Sequence, residues 1–351
     1  MTDQKQSVGI GGEAYQAGHN LTVNQGVSAD QMADIMMAVA ARLQQYVLRA
    51  EVKFLERCEE IRSELLKEFT RPGTHANPEA FQDPDFQFAL RGAHESYGRV
   101  GTPELLENLV RLISERSSRA TSSRVANLLN QAINISANLS RDEYATLSAL
   151  FTMSCIHFDF DDKSKIIMAF KKITAIFTNN LLNVGQSIEY LSSIGCITFP
   201  NTFASDFWNI VYQNYACAFA ASIQDVELKS IFPDGLPPEI AIILIDHRRS
   251  SGGETFLNGP TQQNVHHLVY SLRCTNTEKQ KLRDLHAHKL PERSVLISLF
   301  SQDAPHLEKL QQIHDSTMLM GAFLSSLGKI LAHSALFQHF EDKAPLEKWV
   351  N

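Results

Sequence analysis

From Ser28 to Thr70 apolar residues recur at helical spacing without a break. Met32, Met36, Val39, Leu43, Val47, Ala50, Phe54, Cys58, Ile61, Leu65 and Phe69 follow one another in steps of four and three that close every eleven residues. An eleven-residue period keeps a stripe on one side of a nearly straight helix, whereas a seven-residue period imposes a left-handed supercoil. Ser28 with Gln31 three positions later has the form of a capping box, and neither glycine nor proline intervenes before Pro72-Gly73. The pattern predicts one helix over 29–70, roughly 60 Å long. A compact chain of this length has a radius of gyration of only about 20 Å. Either the helix spans two domains of one monomer, or part of its seam is left for a second molecule.

Shorter amphipathic stretches follow. Asp83-Pro84 opens one that carries Phe86, Leu90, Ala93 and Tyr97, and Thr102-Pro103 opens another with Leu105, Leu109 and Leu112. Proline at the first helical position is pre-set for that start. Val125, Leu128, Leu129, Ala132 and Ile133 mark the next, and Ser140 with Glu143 forms a second capping box ahead of Tyr144, Leu147, Phe151 and Cys155. Helices joined by short connections read as a bundle over 28–180. A linker over 179–185 separates it from a smaller, mostly helical domain over 186–351, with helices expected near 239–247, 262–272, 276–288 and 305–335. The fold class is mostly α. The second domain is either all-α or α+β, because Ile188 to Ile197 has the cadence of a helix that ends at Gly195 before a short strand, as in winged-helix domains.

Residues 1–27 differ in kind. They are rich in Gly, Asn and Gln and contain one β-like run, Leu21-Thr22-Val23, between Gly18 and Gly26. A short strand in a flexible segment needs a partner edge, in this fold or in another copy.

Composition narrows the classes of function. The net charge of -7 opposes wholesale phosphate binding, so contact with nucleic acid would need a local basic patch. The five cysteines are scattered without a CxxC pair, which argues against a disulfide framework or a cysteine-rich zinc site. The opening MTDQKQSVGIGG lacks the apolar core of a secretory signal, and a cytoplasmic location fits best. The most membrane-like stretch, 317–337, carries Lys329 and His333, and a buried helix explains it more simply than insertion. Should it insert, Phe323, Leu324 and Leu327 would touch lipid, and Gly321, Ser325 and Gly328 would allow close packing.

No catalytic residue, cofactor or metal ligand is assigned. The adjacent His266 and His267, like His286 and His288, diverge on a helix and read as structural. Asp159 and Asp161 lack the spacing of an EF-hand and suit a loop ahead of a helix at Lys163. Glu227-Leu228-Lys229 resembles the E-x-K of metal-dependent nucleases but sits in helical surroundings. Phosphate loops, dinucleotide fingerprints and the hydrolase elbow have no counterpart. Lys279, Lys281, Arg283 and Lys289, with His286, His288 and Arg293, make the densest basic cluster, which is either a solvated face or a phosphate contact. His247-Arg248-Arg249 is a smaller patch of the same kind.

Gly18 to Gly26, the long helix to Phe69, Asp83 to Leu90, Leu109 to Arg116 and Leu128 to Ile133 together resemble an uncharacterised bacterial family of helical proteins. The resemblance fades after Gly195. It implies no enzyme activity and suggests anti-phage or conflict neighbourhoods, in which short terminal β-segments pair homotypically. The expected function is a bacterial immune or stress-response component acting by protein assembly. Self-association would run through Leu21, Val23, Met32, Met36, Val39, Leu43, Val47 and Phe54, with a second copy or a neighbouring gene's product as partner. A membrane-perturbing effector and a nucleic-acid-binding regulator are the alternatives.

Overall fold

The first helix, α1, runs unbroken from Ala29 to Thr70. Its start is the reciprocal cap implied by the sequence. The Ser28 N–H donates to Gln31 Oε1 at 3.1 Å, and the Gln31 N–H donates to Ser28 Oγ at 3.2 Å. The computed structural model describes residues 28–120, 123–158, 162–200, 205–238, 241, 254–257, 261–337, 339–340 and 345–350. The Leu21–Val23 strand, Asp159, Asp161 and the 247–249 basic patch lie outside the described residues, as does nearly all of the helix expected over 239–247.

The chain divides into two units, Met1–Glu56 and Arg57–Asn351. In the first, the described residues form the N-terminal part of α1, and the side chains from Asp30 to Glu56 are exposed. In the second, the remaining turns of α1 join the core: Ile61 and Leu65 are buried, and Cys58 and Phe69 are half-buried. Thirteen further described helices follow. They are α2 (Pro84–Val100), α3 (Pro103–Ser117), α4 (Arg124–Ser136), α5 (Arg141–Ser154), α6 (Lys163–Thr178), α7 (Val184–Ser193), α8 (Phe207–Tyr215), α9 (Asp225–Ile231), α10 (Gln262–Ser271), α11 (Asn276–Lys289), α12 (Arg293–Ser301), α13 (Pro305–Ser316) and α14 (Ser326–Phe337). The fold is mostly α, as expected.

Local chemistry explains the starts. Asp83 accepts from the Asp85 N–H at 3.0 Å with Pro84 next in line, and Asp162 caps α6 through the Ser164 N–H at 2.8 Å. Ser140 and Glu143 form the expected box, and Thr275 with Glu278 forms another that the sequence reading passed over. Gly101 ends α2 at a positive φ of 68°. Arg57 covers that end by donating to the Gly98 and Arg99 carbonyls, each at 3.0 Å.

A buried polar network joins α2, α3 and α4. Arg116 is wholly buried; its guanidinium donates to Asp85 and, at 3.0 Å, to Asn130 Oδ1, and Asn130 Nδ2 donates to Asp85 at 3.0 Å. Three of the five stretches that carried the family resemblance, Asp83 to Leu90, Leu109 to Arg116 and Leu128 to Ile133, each supply one member, so these three mark a packing device.

The main core lies in the second unit and is drawn from Ile61 to Phe219 and from Leu296 to Val350. Leu181 and Val184, within the linker expected over 179–185, are buried in it. Apolar side chains at both positions hold that connection inside. A separate small core gathers Cys217, Ile223, Leu228, Val265, Val269 and Leu282 around α9, α10 and α11.

The 305–335 helix is corrected. The described strands are β1 (Ile197–Thr198), β2 (Ile223–Gln224), β3 (Glu254–Thr255) and β4 (Phe323–Leu324); α13 ends at Ser316, a 3-10 turn covers Met318–Gly321, and β4 follows before α14 begins. β4 pairs antiparallel with β1 (Ile197–Thr198), Leu324 opposite Ile197. The helix breaks because the Ser325 N–H donates to the Cys196 carbonyl at 2.9 Å and Ser325 Oγ donates to that of Gly195 at 2.7 Å. β1 does follow the helix-ending Gly195, but its partner comes from this remote segment.

Candidate functional site

Among the residues assigned to self-association, Met32, Met36, Val39, Leu43, Val47 and Phe54 are all exposed, from 37% at Phe54 to 66% at Met36. They continue the period that Ile61 and Leu65 use for core packing. Advancing about 100° per residue, Ile35 and Tyr46 widen the same stripe. Met37, Leu48, Val52 and Leu55 form a second, narrower strip on the opposite side, all of them exposed. That strip was missed, although its spacing of eleven, four and three is again helical. Arg42, Arg49 and Lys53 lie along one flank of the main stripe, and Glu51 lies on the other. Contiguous apolar surface on this scale marks an interaction site.

The four basic residues expected to contact phosphate are dispersed in their roles. Lys279 donates to the Tyr270 carbonyl at 2.7 Å and lies over that ring, and Arg283 is half-buried and donates to Gln280 at 2.7 Å. Lys289 pairs with Glu227 at 2.8 Å, while Lys281 is exposed. Glu227 also accepts from the Gln224 N–H at 2.9 Å. The Lys289 bond, then the Gln224 N–H, hold its carboxyl below the usual range. The E-x-K glutamate is therefore a helix cap. His286 is buried, and desolvation followed by the nearby His266 pushes it down to about 4.

The three lipid-contact residues do not share a face. Phe323 is exposed and Leu324 half-buried in β4, whereas Leu327 is buried in α14. Among the described residues no helix is long and apolar enough to cross a membrane.

A cavity of about 1040 Å³ opens between α5, α8, α10 and α13. Amide side chains of Gln213, Asn214, Gln262 and Asn264 line one part, and Leu150, Met153 and Leu319 line another. His314 also lines it at 2% exposure, its ring edge-on to Phe207 with centroids 5.9 Å apart. Its Nδ1 bonds Asp315 Oδ1 at 2.8 Å, and the same oxygen accepts the Phe207 N–H at 2.8 Å. Sequence reasoning did not find this site, because its walls come from four separated helices and no local period links them.

One family model, described only as ":-like", matches residues 26–350. The match begins beyond the Leu21–Val23 run and continues far past Gly195, where the resemblance read from the sequence fades. No curated protein matches the chain, and no solved structure does.

Proposed function

The chain belongs to the family whose model covers residues 26–350, and from that premise we propose that it works as an assembly component, with a second copy of itself seated on the exposed stripe of α1. One observation carries the reading: the apolar period that packs inside at Ile61 and Leu65 continues to Met32 with its side chains in water. Burying a large apolar side chain is worth about 1.5–3 kcal/mol, so several together outweigh the cost of association.

The charges favour a second copy in parallel. Flanking positions on opposite sides of a seam face each other in a parallel pair, which sets Glu51 beside Arg49 and Lys53 of the partner. An antiparallel pair centred on this segment would place Arg42 against its own copy. The second strip, Met37 to Leu55, is left over by a two-helix pairing and suits a larger assembly. An immune or stress-response role for that assembly is supported by the resemblance alone.

Light scattering on the full chain at high micromolar concentration tests the proposal. The expected mass is at least that of a dimer, and Leu43→Glu with Val47→Glu is expected to give a monomer with an unchanged unfolding midpoint. Met36→Cys is expected to crosslink to its own copy under oxidation if pairing is parallel. A wild-type chain that stays monomeric overturns self-assembly.

A further inference from the structure

We propose that the cavity between α5, α8, α10 and α13 binds an uncharged polar ring compound of the nucleoside class, anchored by His314. The argument starts from the histidine. It is almost fully enclosed, and its Nδ1 is committed to Asp315, whose carboxylate is itself fixed by the Phe207 N–H. A carboxylate on one imidazole nitrogen sets the tautomer and the ring orientation, and leaves the other nitrogen to act. Among the described residues no protein group bonds Nε2. Nε2 is therefore the ring nitrogen left to meet a ligand in the cavity that His314 lines. A hydroxyl or ring N–H entering the cavity satisfies it.

The remaining wall specifies the chemistry. Among the described residues that line it none is Asp, Glu, Lys or Arg, and the titratable ones are His157, His266, His267 and His314. A phosphate or carboxylate brought there from water would find no lysine or arginine among these residues to replace its hydration. The amides of Gln213 and Gln262 present donors and acceptors in the mixture that reads the edge of a heterocycle, and Asn264 adds its Nδ2, its Oδ1 accepting from the Thr261 hydroxyl at 2.5 Å. Asn214 Nδ2 is already used on the Met153 carbonyl at 3.2 Å, which leaves its Oδ1 as an acceptor. The first turn of α10 adds the N–H groups of Gln262 and Gln263, which the helix itself leaves unpaired. Leu150, Met153 and Leu319 supply an apolar surface for the flat face of a ring. A neutral heterocycle bearing hydroxyls meets all of these demands at once. The site lies within the second unit and stands whether or not the chain assembles.

Calorimetric titration of the full chain with adenosine, guanosine, cytidine and uridine tests the inference. At least one is expected to bind with a submillimolar Kd. His314→Gln is expected to weaken it by about tenfold, and the matching 5′-monophosphate to bind no more tightly. Unfolding midpoints of the variant, and a rim variant Asn264→Ala with a smaller loss, separate a site effect from misfolding. Absence of binding by all four nucleosides overturns the proposal. So does tighter binding of the monophosphate, or binding indifferent to His314→Gln in a folded variant.

Discussion

Replacing Asp85 with alanine is expected to destabilise the second unit by about 3–5 kcal/mol, the usual effect of stranding a buried charge. Arg116 is fully enclosed, and Asp85 is the carboxylate that its guanidinium bonds directly; Asp83 stands off at 3.6 Å. Without Asp85, Asn130 also loses its acceptor, so two of the three helices in the network lose their tie to α2. Arg116→Met is expected to cost less, because Asp85 is 37% exposed and water can solvate it once the cation is gone. Hydrogen bonds from Asn130 and then Arg116 hold the Asp85 carboxyl below its ordinary 3.8. Its contribution is therefore complete above that pH and disappears as pH falls through the depressed value. The gap in unfolding midpoint between wild type and Asp85→Ala is expected to hold near neutrality and to close in strong acid. Urea titrations followed by circular dichroism measure both effects. A variant within about 0.5 kcal/mol of wild type, or Arg116→Met proving worse than Asp85→Ala, contradicts this account of the network.

What was legible depended on how local the signal was. The Ser28–Gln31 and Ser140–Glu143 boxes, and the prolines at the starts of α2 and α3, fix helix ends through atoms three residues apart, and they stand where the sequence put them. The α1 stripe was equally plain. Its change from exposed to buried near Arg57 was not, because the eleven-residue period runs through that point unaltered. Arg116 escaped notice because a charged residue in a helix reads as solvated. Only the fold brings it to Asp85, 31 residues away, and Asn130 to Asp85, 45 away. The segment from Thr317 to Phe337 misled for the same reason. Its composition favours one apolar helix, and the partner that interrupts it, Ile197, lies in a distant part of the chain. The cavity gave no signal at all: His314 and Asp315 are ordinary residues of an amphipathic helix until Phe207 and the α8 and α10 side chains arrive.

The small residues Gly321, Ser325 and Gly328 now make distinct predictions in place of a shared one. A Cβ at Gly328 would run into the Cys196 carbonyl, with the carbonyl carbon only 3.0 Å away. That backbone cannot easily yield. The Cys196 carbonyl accepts the Ser325 N–H, the Cys196 N–H donates to Leu191 at 2.9 Å, and the next two residues pair with β4. Gly328→Ala is expected to destabilise by about 1–3 kcal/mol through overpacking, although alanine in a helix would otherwise gain about 1 kcal/mol over glycine. At Gly321 an added Cβ meets nothing within 4 Å, so Gly321→Ala is expected to be close to neutral. Thermal unfolding of the two variants side by side separates a glycine used for close contact within this chain from small residues kept for packing helices in a bilayer, where both should matter alike. A Gly328→Ala protein as stable as wild type would remove the β1–α14 contact from the account of how the C-terminal segment is held.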